Sequence, residues 1–78
     1  MAHQSAEASD VPIRDASIRL GQFLKLAGLI DSGADAKSVT ADGLVSDNGD
    51  VEARRGRQLR IGATVVFADR GARVADGR

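Results

Sequence analysis

The chain has 78 residues, with 11 basic and 11 acidic side chains that cancel to a net charge of zero. A chain of this length forms one small domain that buries only roughly 60% of its unfolded surface, and it leaves no room for a separate catalytic domain. Cysteine is absent, which excludes disulfide frameworks and thiolate zinc sites; no apolar stretch nears the roughly 20 residues that span a bilayer, and the opening MAHQSAEASD lacks the apolar core of a secretion signal.

Residues 1–10 are small and polar and read as a disordered leader ahead of a single domain at 11–75. Ile18-Arg19-Leu20 alternates as a short strand would. From Gly21 to Ile30 the spacing predicts a helix, because Leu20, Phe23, Leu24, Ala27 and Ile30 fall on one stripe and Lys25 lies off it. Ser32-Gly33 breaks the chain, and Ser32 is placed to cap a second helix. Asp35 suits the positive end of that helix. Ala36, Val39 and Thr40 supply its inner face, Lys37 points outward, and Gly43 ends it in a left-handed conformation.

Leu44-Val45-Ser46 then reads as a strand, and Asn48-Gly49 is a turn signal because both residues tolerate positive φ. A two-residue turn would set Asp47 opposite Asp50, where like charges repel. A wider loop, or carboxylates splayed into solvent, is therefore expected. Arg54-Arg55-Gly56-Arg57 is too charged for a core strand and reads as an exposed loop. Leu59 and Ile61 return the chain to the core, and Gly62-Ala63 turns it. Thr64-Val65-Val66-Phe67 is the clearest strand, being β-branched and aromatic. Asp69-Arg70-Gly71 forms a turn, Arg73-Val74-Ala75 pairs back, and residues 76–78 fray.

Neutral net charge hides a division along the chain. Residues 1–52 carry four basic groups (Arg14, Arg19, Lys25, Lys37) against nine acidic ones, a net of −5, whereas residues 53–78 carry seven arginines against Asp69 and Asp76, a net of +5. A solvated, aggregation-resistant surface would account for such a pattern by itself.

The ordered series Arg19-Leu20, Phe23-Leu24-Lys25, Ser32-Gly33, Ala36-Lys37, Gly43, Val45, Asn48-Gly49, Val51, Arg54-Arg55-Gly56-Arg57, Leu59 and Gly62 resembles the RNA-binding domain of small-subunit ribosomal protein four, the alpha-L motif. The resemblance spans residues 18–67. Leu20 to Lys25 together with the arginine run is similar to a subgroup of short bacterial proteins in which the domain stands alone. It implies an α/β (α+β) fold with two helices packed on a small, mostly antiparallel β-sheet. It also implies RNA bound on a basic face, with Arg19, Lys25, Lys37, Arg54, Arg55 and Arg57 as the contacts. Three residues depart from the family pattern: Asp47 where an apolar strand residue is usual, Gly21 for an acidic residue, and Ala63 for another.

These residue types suit RNA. Arginine's planar fork bridges two phosphate oxygens, Gly56 lets backbone approach closely, and A-form RNA is read mainly by shape through phosphates and 2′-hydroxyls. A chain with no Tyr or Trp is poorly equipped to stack unpaired bases. The sole histidine, His3, lies in the leader, so neither a hydrolase triad nor a protein metal site is expected, and no glycine run ends in the Lys-Ser/Thr of a phosphate loop. The expectation is a cytoplasmic, monomeric, non-catalytic protein without cofactor or membrane partner. It would bind ribosomal or transfer RNA, with the ribosome or a separate RNA-modifying enzyme as further partners. The alternative is a protein-interaction module or accessory subunit that uses the arginine loop, or an edge strand at Thr64–Phe67 or Arg73–Ala75.

Overall fold

The β-branched run at 64–67 lies at the centre of a five-stranded sheet. The computed structural model describes residues 8–77; residues 1–7, with His3 and most of the expected leader, and Arg78 lie outside the described residues. In chain order the elements are β1 (Ala8–Ile13), β2 (Ser17–Arg19), α1 (Leu20–Leu26), α2 (Gly33–Ala41), β3 (Val45–Asp47), β4 (Asp50–Val51), β5 (Gln58–Arg60), β6 (Thr64–Phe67) and β7 (Arg70–Asp76). The sheet runs β1-β7-β6-β3-β4, with β1 parallel to β7 and every other pair antiparallel, and β2 and β5 form a separate antiparallel ribbon.

Leu20, Phe23 and Leu24 of α1 and Ala36 and Thr40 of α2 meet Val45, Leu59, Val65 and Val74 in one core. Phe23 is its largest fully buried side chain, and its loss to alanine costs about 3–5 kcal/mol, a large share of the stability of a domain this small. Thr40 is buried without penalty because its hydroxyl donates to the Ala36 carbonyl at 2.7 Å.

Several expectations change in the structure. α1 stops at Leu26 rather than Ile30, because Gly28 adopts φ +74 and turns the chain, and Leu29 and Ile30 reach the core from that turn. Ser32 does cap α2, accepting from the Asp35 N–H at 3.2 Å, and Gly43 follows it at φ +73. Ile61 is 38% exposed rather than in the core, since it falls in the turn after β5. The turn between β6 and β7 is made by Ala68 and Asp69, with Arg70 already in strand.

Of the expected leader, Ala8, Ser9 and Asp10 belong instead to β1 and lie beside Gly71, Ala72 and Arg73 of β7. Of the expected frayed tail, Asp76 and Gly77 are likewise held. Asp76 ends β7, and the Gly77 N–H donates to the Ile13 carbonyl at 2.8 Å. A Cβ at Gly77 would lie 2.8 Å from Pro12 Cβ. Neither signal was legible in composition, because the hydrogen bonds that hold these residues join opposite ends of the sequence. Thr64–Phe67 and Arg73–Ala75 are both interior to the sheet and cannot extend a partner's sheet. The sheet's edges are β1, blunted by Pro12, and the two-residue β4.

The wider hairpin loop is also corrected. Asn48 (φ 52) and Gly49 (φ 91) make a two-residue turn, and Asp47 pairs directly with Asp50. The register holds because the Asn48 side-chain carbonyl accepts from the Thr64 N–H at 2.8 Å, and because Asp47 has a cation to face.

Candidate nucleic-acid interface

Seven residues make α1, and no side chain caps it. Its first N–H groups are instead satisfied by the arginine loop: Leu20 donates to the Arg57 carbonyl and Gly21 to the Arg55 carbonyl, each at 2.8 Å. The loop closes on itself through Arg57 N–H to the Arg54 carbonyl at 3.2 Å, which puts Arg55 and Gly56 at the tip of a β-turn. Gly21 lies directly against the docked loop. A Cβ there would meet Arg55 Cβ and the Arg55 carbonyl at 3.4 Å and Ala36 Cβ at 3.5 Å. Loop, α1 and α2 thus meet at a position where a Cβ would still fit but a larger side chain, such as the acid of the family pattern, would crowd Arg55 and Ala36.

The result is a cleft of about 230 Å³ walled by Arg19, Lys25 and Arg55 and floored by Gly21, Gly33, Ala36 and Gly56, with Gln22 at its side. All three cations are exposed, and none has an ion-pair partner among the described residues. A floor of small residues lets an anion approach backbone closely, and unpaired guanidinium and ammonium groups above it can take phosphate oxygens.

Arg54 and Arg57 are held differently. They line a second groove with Gly56 and Gln58, and both face carboxylates. Arg54 Nε lies 3.1 Å from Glu52 Oε2, and Arg57 Nε lies 3.6 Å from Asp47 Oδ2 and 3.8 Å from Glu52 Oε1. The hydrogen bond from the Arg54 side chain, followed by the one from its backbone N–H, holds the Glu52 carboxyl below the usual carboxylate range. The same contact raises Arg54. Asp47, one of the departures from the family pattern, thus supplies a counter-charge to Arg57. Its Oδ1 is buried with no hydrogen-bond partner among the described residues. Lys37 is exposed on α2, does not line the cleft, and pairs with neither Asp35 nor Asp42.

Of the six residues expected to contact RNA, three share the cleft, two share the groove next to it, and one lies apart on α2. Sequence reasoning missed Gln22 and the small floor. The spacing of Gly21, Gly33 and Gly56 was visible, but nothing in one dimension says that they converge.

This architecture can be set beside known proteins. The family model for the S4 domain matches residues 11–75. The chain belongs to the S4 domain family. Among curated relatives, the probable ribosome maturation protein RlbA of Bacillus subtilis is 43% identical over 58 residues, covering 74% of this chain and 82% of that one. YbcJ of Escherichia coli is 40% identical over 57 residues, covering 73% and 81%. The solution structure of E. coli YbcJ, described as revealing an alfaL motif involved in RNA binding, superposes with a TM-score of 0.68 at 33% identity and covers 96% of each chain. The two helices on a mostly antiparallel sheet are therefore the alpha-L fold expected from the resemblance.

Proposed function

We infer that this protein is a non-catalytic RNA-binding protein that recognises structured RNA, ribosomal or transfer RNA, by shape and phosphate charge. The observation that carries this reading is the convergence of three unpaired cations, Arg19, Lys25 and Arg55, over a floor without side-chain bulk. Arg55 and Arg19 each offer a planar donor fork to phosphate, and Lys25 adds a point charge from the adjacent helix. Arg54, Arg57 and Lys37 flank this centre as secondary contacts. The relatives, one named for ribosome maturation and one described by an RNA-binding motif, support the choice of RNA over other polyanions and favour a ribosomal target.

Binding is an equilibrium in which each phosphate contact releases counterions. Log affinity then falls against log salt with a slope of roughly −0.7 to −0.9 per contact. The protein acts as a monomer in the cytoplasm, with the ribosome as its site of action and no cofactor. The test is a filter-binding titration of the full chain with a ribosomal-RNA hairpin, a transfer RNA and a DNA duplex of matched length across a salt series. Tighter binding to either RNA than to DNA, with a salt slope equivalent to several contacts, is expected. Equal binding to DNA, or binding indifferent to salt, would overturn the reading.

A further inference from the structure

The cations of the cleft continue beyond its rim onto the β2–β5 ribbon. In that ribbon Ile18 stands opposite Leu59, Arg19 opposite Gln58, and Ser17 opposite Arg60. Alternate residues of a strand point to opposite faces. Leu59 is buried in the core with Ile18 packed against it, so Arg19, Gln58, Ser17 and Arg60 share the outward face. Arg19 and Arg60 are diagonal neighbours there, about 7–8 Å apart at Cα, a separation that suits neighbouring phosphates of one strand.

Among the described residues, Arg60 is unlike the other arginines that follow the loop, Arg70 and Arg73. Arg70 donates to the Gly28 carbonyl at 3.2 Å, and Arg73 pairs with Asp10 at 2.8 Å, so both serve the fold. Arg60 is exposed, with no ion pair or side-chain hydrogen bond among the described residues. Gln58 beside it accepts from the Ser17 hydroxyl at 3.0 Å through Oε1, which leaves its amide NH₂ available to donate. Gln58 also lines the groove that holds Arg54 and Arg57, and that groove meets the cleft at Gly56. Cleft, groove and ribbon are therefore one continuous surface.

We propose that the outward face of the β2–β5 ribbon is a second stretch of the interface: Arg60 grips the phosphodiester backbone of the RNA strand that leaves the cleft, and the Gln58 amide donates to a phosphate or ribose oxygen beside it. This rests on the cleft being an RNA site. Surface charge that only keeps a ribbon edge soluble would leave the contact unmade.

The experiment is fluorescence anisotropy with a fluorescein-labelled ribosomal-RNA hairpin over a salt series, using Arg60→Ala, Arg60→Lys, Arg73→Ala and the cleft variants Lys25→Ala and Arg55→Ala. Arg60→Ala should weaken binding about three- to fivefold and flatten the log–log slope by roughly 0.7–0.9. Arg60→Lys should keep the slope, and Arg73→Ala should leave both quantities unchanged. Equal losses from Arg60→Ala and Arg73→Ala would mean diffuse charge rather than a contact, and would overturn the proposal. If the cleft variants bind weakly while Arg60→Ala binds as wild type, the ribbon is refuted and the cleft stands. Wild-type binding by both cleft variants would bring down the cleft and the ribbon with it.

Discussion

Arg55 and Arg57 stand two residues apart, yet the loop delivers them to opposite electrostatic settings. Arg55 lines a cleft where no carboxylate among the described residues pairs with it, beside Arg19 and Lys25. Arg57 and Arg54 line a separate groove and are each already paired with a carboxylate, Arg54 with Glu52 and Arg57 with Asp47 and Glu52. A phosphate entering the cleft meets available charge, whereas one entering the groove must compete with a carboxylate. An arginine run is thus not a uniform patch. Its members differ in how much of their charge remains for a ligand.

The sharpest way to break this contrast is to empty the cleft. Replacing Arg19, Lys25 and Arg55 together by alanine should flatten the salt slope of hairpin binding by roughly 2–3, with far-ultraviolet circular dichroism unchanged because all three side chains are exposed. A slope that stays as steep as wild type would show that the contrast has no bearing on binding. Next in size, Gly21→Val should drive side-chain bulk between Arg55 and Ala36, where even a Cβ is close at 3.4–3.5 Å. It should cost about 1–3 kcal/mol in urea unfolding and weaken RNA binding besides, while Gly21→Ala should come near to wild type.

The double change of Arg54 and Arg57 to alanine should flatten the slope by less than about 1.4–1.8, the value for two free contacts, since part of that charge is already compensated. A full-sized effect would erase the distinction between groove and cleft. Smallest is Glu52→Gln, which should tighten binding about twofold at neutral pH by releasing Arg54 and Arg57. Acid should mimic it. The Glu52 carboxyl is depressed by its arginine contact, so the pairing is complete above the ordinary carboxylate value. It is lost only as pH falls through the lower value of the folded protein. Affinity measured from mildly acidic to neutral pH should therefore show no step from Glu52, and a step in that interval would contradict the assignment.

Much of the fold was legible because local chemistry and final structure agreed. Ser32 capped the second helix, Asn48-Gly49 turned the hairpin, and the β-branched run at 64–67 became a strand. What could not be read were features created by distant residues. Ala8–Asp10 look like leader because their partners lie more than sixty positions away in β7. The pairing of Asp47 with Asp50 looked prohibitive because Arg57, which relieves it, is remote from the turn. The candidate site divided in the same way. The identities of its cations were visible in the sequence, but their separation into paired and unpaired sets was not, since Arg57 meets Asp47 and Glu52 only once the loop has curled back.

The parallel pairing of β1 with β7 bears on how the molecule is born. Among the described residues, the first strand to be synthesised has the last as its only strand neighbour. On a translating ribosome β1 must therefore wait, unpaired, until β7 has emerged, while the hairpin and the helices between them can form from local contacts. Closure of the sheet's far edge is the step that completes the fold, and it joins the two most widely separated strands among the described residues.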